Sequence, residues 1–137
     1  VRAFVVDVAP FNRFELNNSP RTVVIQNFFP KGFLDRADFQ GGAGWTCDQS
    51  NFNQAIRVNI FIDNIFIFTV IANQQREQAV ANECGGNAFH GFNFGWNQQA
   101  RNILSRPGSH RVSAFAIDIP NGSQRQLSNS PRFVSAF

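Results

Sequence analysis

Two neighbouring apolar stretches, residues 56–63 and Ile65–Ala72, constrain the fold of this 137-residue chain more than any other feature. In the first stretch, Ile56, Val58, Ile60 and Ile62 alternate with mostly polar residues, which is typical of a β-strand with one buried and one wet side. Asp63-Asn64 separates the stretches, and asparagine tolerates the positive φ that a two-residue type I′ turn requires. The sequence therefore predicts a β-hairpin.

Further strand-like segments, rich in Val, Ile and Phe and bounded by turn residues, recur along the chain. They are residues 1–8, 22–26, 44–48, 89–95 and 110–119. One short helix is expected near residues 97–105. About seven to nine strands at this spacing predict an all-β fold, an antiparallel β-sandwich of immunoglobulin-like or jelly-roll-like type.

Composition and charge exclude several classes of protein. With 43% hydrophobic residues, the chain is too apolar to be disordered. The longest apolar run, Ile65–Ala72, is strand-sized, so no membrane span is expected. The formal net charge is +3, and the arginines are scattered rather than clustered, so we expect no nucleic-acid partner.

The two cysteines, Cys47 and Cys84, belong to no C-x-x-C pair, which argues against structural zinc. A disulfide between them would suit an exported protein and indicates an extracellular or cell-surface location. Two buried free thiols are the alternative.

The chain repeats its own ending. Residues 1–26 match residues 112–137 without a gap, at a constant offset of 111, and Leu16-Asn17-Asn18-Ser19-Pro20-Arg21 faces Leu127-Ser128-Asn129-Ser130-Pro131-Arg132. Ten residues are identical to the residue 111 positions later: Val1, Ala3, Phe4, Asp7, Leu16, Asn18, Ser19, Pro20, Arg21 and Val23. Self-similarity at a fixed period is typical of repeat proteins.

We interpret residues 1–26 as the C-terminal strands of a preceding repeat, or as a donated strand, and residues 27–137 as one complete 111-residue repeat. Neighbouring copies would then associate through the N-terminal segment, as strand addition does in fibres. Phe4, Val6, Val8 and Pro20 are the predicted interface residues. Two similar edge hairpins within one domain are the alternative explanation.

A series of short motifs follows in order along residues 32–131. They are Gly32-Phe33-Leu34-Asp35, Gly44-Trp45-Thr46-Cys47-Asp48, Val58-Asn59-Ile60-Phe61-Ile62-Asp63-Asn64, Ala72-Asn73 with Arg76, His90-Gly91-Phe92-Asn93-Phe94, Gly108-Ser109-His110-Arg111-Val112, Ala116-Ile117-Asp118 and Leu127-Ser128-Asn129-Ser130-Pro131. This order resembles β-sandwich modules of secreted and surface bacterial proteins, which often occur in tandem. The resemblance implies an extracellular spacer, adhesive or carbohydrate-associated module without catalytic residues.

The two tryptophans raise the alternative of a carbohydrate-binding module or lectin, with glycans as partners. Trp45 follows glycines within a predicted strand and is expected in the core. Trp96 follows a strand end, which makes it the candidate sugar contact, although a packing role fits its position equally well.

Few residues suggest chemistry. Asp35 and Asp48 are weak candidates for calcium ligands, since carboxylate oxygens suit that cation, and no other cofactor is expected. Ser109, His110 and Asp118 could be drawn as a triad, but no G-x-S-x-G motif supports it. We therefore expect a structural and interaction protein of a fibre, stalk or surface layer, and not an enzyme.

Overall fold

The computed structural model describes residues 28–136; the predicted strands at 1–8 and 22–26, with the interface residues Phe4, Val6, Val8 and Pro20, lie outside the described residues. The described part holds nine strands and two short helices. In chain order they are β1 Lys31–Ala37, β2 Gly41–Cys47, β3 Ile56–Ile62, β4 Ile65–Ala72, β5 Gln74–Gln75, α1 Gln78–Glu83, β6 Phe89–Gly95, α2 Gln98–Leu104, β7 Gly108–Ile117, β8 Gln124–Gln126 and β9 Arg132–Ala136.

The strands form two antiparallel sheets, which confirms the predicted β-sandwich. The first sheet has the order β1-β2-β6-β5. The second has the order β4-β3-β7, and β8 and β9 both pair with β7, at its end and its start respectively. Within residues 28–136 no helix is long and apolar enough to cross a membrane.

The predicted hairpin is present as β3 and β4. Asp63 and Asn64 have φ values of 52° and 67°, as a type I′ turn demands, and Ile62 pairs with Ile65 across it. Pairing shifts by one residue between Ile60 and Phe61, which leaves Ile67 as the extra residue of a β-bulge. The alternation of β3 therefore places its isoleucines and valine in the core.

The core lies between the sheets, where aliphatic side chains of the second sheet meet aromatic rings of the first. Val58, Ile60 and Ile62 are fully buried, and each such side chain stabilises the fold by roughly 1.5–3 kcal/mol. Phe68 of β4 crosses the sandwich to contact Phe94 edge-on, with ring centroids 5.5 Å apart.

Glycines in the first sheet make room for two of these rings. Gly42 pairs with Phe94 and Gly44 pairs with Phe92, and in both pairs the phenylalanine ring occupies the space of a glycine Cβ. The two rings are stacked, with planes 10° apart. Gly42 and Gly44 are therefore required by packing and not by backbone conformation.

Some elements differ from expectation. The predicted helix is confirmed as α2, and its N-cap Asn97 accepts a hydrogen bond from the Ala100 amide at 2.9 Å. The sequence did not predict β1, α1, β5, β8 and β9. In β1 only Leu34 and Gly32 are buried, so the strand lacks the run of apolar residues by which the others were identified.

The sandwich has two poles, separated by the length of β7. Lys31 pairs with Cys47 at the start of β1, and Asp48 contacts Ile119 just after β7, which defines the disulfide pole.

Ala136 pairs with Gly108 at the opposite end of β7. That end, with Asp63, Arg106 and His110, is the histidine pole. Ten strand residues span about 30 Å, so the described chain begins and ends at opposite poles.

Candidate functional site

A disulfide joins Cys47 at the end of β2 to Cys84 after α1, with the two Cα atoms 5.9 Å apart. The prediction of a disulfide is confirmed, and the alternative of two free thiols is wrong. Both cysteines pack with Trp45 and Val80 in a small cluster separate from the main core. The bond therefore anchors α1 to the outer side of the first sheet.

The buried carboxylate of Asp48 connects the two sheets at the disulfide pole. Its Oδ1 accepts a hydrogen bond from the Ser50 amide at 2.9 Å, and its Oδ2 accepts one from the Ile119 amide at 3.1 Å. Asp48 is completely inaccessible to solvent. Because a buried carboxylate needs such donors, the loop after β2 is fixed to the end of β7.

Arg76 spans the outer side of the first sheet. Its guanidinium donates to both carboxylate oxygens of Glu77, to Asp35 at 3.1 Å and to the Gly44 carbonyl at 3.0 Å. The pKa of Arg76 is raised mainly by its hydrogen bonds to Glu77 and, to a smaller extent, by its hydrogen bond to Asp35. Its aliphatic stem lies directly over Gly91. This arginine therefore holds strands β1, β2 and β6 together.

At the histidine pole, the ring of His110 lies between two acceptors. Its Nε2 donates to the Arg106 carbonyl and its Nδ1 to Asp63 Oδ2, both at 2.7 Å. The imidazole is 6% exposed. Two acceptors require two ring protons, so the bond to Arg106 and then the bond to Asp63 raise the pKa of His110.

Asp63 completes this ion pair. Burial opposes ionisation of its carboxyl group, but the hydrogen bonds from His110 and from the Arg111 amide outweigh burial and lower its pKa. The interaction joins the β3–β4 turn to the start of β7. When protonated, His110 is therefore a structural cation that links these two segments.

The structure does not assemble the triad of Ser109, His110 and Asp118. His110 already directs both ring nitrogens at Asp63 and Arg106, as described above. Asp118 lies beyond the far end of β7, whereas His110 is close to its start. The geometry of these three residues provides no nucleophile with its base.

The outer face of the second sheet carries an aromatic cluster next to an edge strand. Phe61 contacts Phe66 and Phe115 edge-on, with ring centroids 5.7 and 5.4 Å away. At the disulfide pole the same face has a groove of about 400 Å³, lined by Gln54, Ala55, Arg57, Ile71, Ile117 and Ile119. This face therefore presents exposed aromatic and aliphatic side chains beside an open groove.

Trp96, the candidate sugar contact, is not on the surface. Its side chain is 4% exposed, and its indole N–H donates to the Asp38 carbonyl at 2.7 Å. The ring also stacks on Phe68. The alternative of a packing role therefore holds, since the ring also contacts Phe94 edge-on with centroids 5.0 Å apart. Trp45 is buried as expected, but it packs in the outer cluster beside the disulfide and not in the core between the sheets.

The two calcium candidates do not meet. Asp35 lies midway along β1 and binds Arg76, whereas Asp48 lies beyond the end of β2 and is used by backbone amides. Within residues 28–136 no group of three or more His, Cys, Asp or Glu side chains could hold a metal ion.

Sequence reasoning missed that β4 lies at the edge of its sheet among the described strands, and it missed both polar links between distant segments. Asp63 and His110 are 47 positions apart, and Asp48 and Ile119 are 71 apart, so spacing gave no indication of either contact. For β4 a signal existed, since Ile65–Ala72 contains neither a charged residue nor a proline. Its position at an edge, however, depends on the order of strands.

Searches of protein-family models, curated proteins and solved structures find no significant match to this chain.

Proposed function

We propose that this chain is a structural module of an extracellular tandem-repeat or fibre-forming protein, and that neighbouring copies associate through residues 1–26. Its role is mechanical and adhesive, and it catalyses no reaction. The proposal extends the interpretation of the internal repeat to the architecture of residues 28–136.

The observation that carries the proposal is that the described sandwich already contains its own copy of the repeated segment. Residues 112–136 form most of β7 together with β8 and β9, which pair along one edge of β7. Residues 1–26 repeat the same sequence. Because β3 is flanked by β4 and β7, the place of this sequence in the described sandwich is already filled, and we assign the second copy to a neighbouring module.

The positions of the two poles support an extended assembly. The described chain begins at the disulfide pole, where the Phe28 carbonyl accepts from Ser50, and it ends at the histidine pole beside Gly108. By the repeat offset, Ala136 corresponds to Ile25, only six positions before Lys31. Modules joined in this way would follow one another end to end, separated by a short connection.

The disulfide supports an oxidising location. Cys47 and Cys84 are bonded and buried, and such bonds persist in secreted and surface proteins, whereas cytosolic thiols are kept reduced. A covalent cross-link also suits a module that bears load, because it limits how far the chain can extend when the sandwich opens.

The test is association of the full chain in solution. We expect sedimentation velocity of the 137-residue protein to show oligomers that grow with concentration, and electron microscopy to show linear particles. The triple variant Phe4→Ser, Val6→Ser, Val8→Ser should sediment as a monomer. A wild-type chain that stays monomeric at every concentration would refute the proposed function.

A further inference from the structure

The edges of the two sheets are not equally protected. In the first sheet, β5 has two residues, and β1 is bridged by Ser128, which bonds the Leu34 amide and the Gly32 carbonyl at 2.9 and 3.0 Å. In the second sheet, β8 and β9 are three and five residues long. β4 has eight residues, and among the described strands it pairs with β3 alone.

The composition of β4 makes this edge unusual. Its residues Ile65, Phe66 and Ile71 are 42%, 49% and 50% exposed, and the strand carries no charge. Exposed edge strands are normally kept from pairing by charged residues, proline or bulges. The bulge at Ile67 protects only the first part, so residues 68–72 form a regular, unprotected edge.

The core is also incompletely closed along β4. The inward side chains of β3 are fully buried, but Phe68 and Val70, which face the same interior from β4, are only half-buried. On the other side of the strand, Ile71 lines the groove of about 400 Å³. One further strand beside β4 would cover both places.

We propose that residues 1–8 of a neighbouring copy add to the edge of β4 at residues 68–72, which extends the second sheet by one strand. This inference rests on the proposed function and names the receiving surface. The segment is as long as β4 and matches residues 112–119, and its counterpart β7 already pairs with β3 in this sheet.

The alternation of the segment fits the two sides of the edge. Its small residues Val1, Ala3 and Val5 correspond to Val112, Ala114 and Ala116, which are buried in the core, so they suit the interior beside Phe68. Asp7 shares this side and corresponds to the buried Asp118. The opposite side carries Phe4, Val6 and Val8, which suit the apolar groove.

The donor and the acceptor are different surfaces of the same chain. Each copy can therefore give its N-terminal segment to one neighbour and receive a segment from another. Such a heterologous contact produces an open chain of copies unless its rotation closes a ring.

Three variants of the full chain test the proposal. The donor variant Val5→Pro, Val6→Pro removes two successive N–H groups, one of which must face β4, because successive amides point to opposite sides of a strand. The acceptor variant Ile71→Glu places a carboxylate at the edge opposite Arg57. The control Phe133→Glu changes a residue of β9 that is 65% exposed. Circular dichroism and thermal unfolding check that each variant folds.

We expect the donor and acceptor variants each to weaken self-association at least about tenfold in Kd by sedimentation velocity, and the control to match wild type. The decisive measurement is an equimolar mixture of the two defective variants. Only one productive pairing remains in it, so a heterodimer should form and no longer species should appear.

Two outcomes would overturn the inference in distinguishable ways. If the donor variant is monomeric but Ile71→Glu associates like wild type, residues 1–8 bind another surface, and the proposed function stands without this docking site. If wild type and every variant remain monomeric at all concentrations, the inference and the proposed function fail together.

Discussion

The two poles of the sandwich are held together by different kinds of bond. At the disulfide pole, a covalent link fixes Cys47 to Cys84 and a buried carboxylate joins Asp48 to the end of β7. At the histidine pole, the partly exposed Asp63 and the buried His110 form an ion pair that also reaches the Arg106 carbonyl.

The short helices show the same contrast. α1 has no side-chain cap on its first amides and depends on the neighbouring disulfide, whereas α2 is capped by the Asn97 side chain. The disulfide pole is therefore stabilised mainly by a bond that restricts the unfolded chain. The histidine pole is stabilised by contacts whose strength depends on pH.

Removing the disulfide should lower the unfolding free energy more than any other change considered. The variant Cys47→Ala, Cys84→Ala should lose about 3–4 kcal/mol of unfolding free energy, because the bond closes a loop with a sequence separation of 37. Urea unfolding at equilibrium measures it, with the reduced wild-type protein as a second reference. A loss below about 1 kcal/mol would show that the disulfide pole does not depend on its cross-link.

A smaller effect is expected for the buried carboxylate. Asp48→Ala leaves the Ser50 and Ile119 amides without their acceptor and should cost about 2 kcal/mol in urea unfolding, as hydrogen bonds to charged groups do.

Asp38→Ala is the matched control at the other pole. Asp38 also accepts from two amides, those of Gln40 and Gly41, and it binds Arg36 at 2.8 Å, but its side chain is 46% exposed. Water can replace it, so the loss should stay below about 1 kcal/mol. Equal losses at Asp48 and Asp38 would mean that burial does not explain the role of Asp48.

The smallest effect concerns pH. His110 has a raised pKa, so its contribution is complete below the unfolded value of about 6.5 and disappears as pH rises through the folded pKa. Asp63 has a lowered pKa, so its contribution is complete above about 3.9 and is lost as pH falls. The ion pair should therefore stabilise most between about pH 4 and 6.5.

The variant Asp63→Asn isolates the contribution of the ion pair to the unfolding free energy. Near pH 5.5 it should lose about 1 kcal/mol, a modest value because Asp63 is 37% exposed, and the difference from wild type should shrink by pH 9. Urea unfolding at both pH values provides the comparison. If the variant and wild type differ by the same unfolding free energy at both pH values, the contact between Asp63 and His110 does not depend on charge. The two poles would then not differ in their response to pH.

The local sequence pattern was sufficient to predict those strands and helices whose buried residues recur at a regular spacing. The β3–β4 hairpin with its Asp63-Asn64 turn, the strands β6 and β7, and α2 after Asn97 were all predicted from such patterns. Strand β1 was missed because it buries only Gly32 and Leu34 and has no run of apolar residues.

Contacts between distant segments were beyond the same reasoning. A sugar contact and a packing role both fitted Trp96, and its burial depends on Phe68 of the opposite sheet, which the sequence does not place beside it. The links from Asp48 to Ile119 and from Asp63 to His110 depend on which strands become neighbours. The repeat offset is different, since it is a property of sequence alone, and its structural meaning remains a prediction for residues 1–26.

The glycine–phenylalanine pairs of the first sheet have a consequence for how such a module can diverge. Gly44 and Phe92 share one volume across two strands, as do Gly42 and Phe94. A side chain at either glycine would also meet a backbone carbonyl, that of Phe33 at Gly44 and that of Arg36 at Gly42, so a smaller ring alone would not admit it. In copies descended from a common repeat, both glycines should therefore stay constant even where the opposite ring varies, and a replaced glycine should mark a copy that no longer folds in this way.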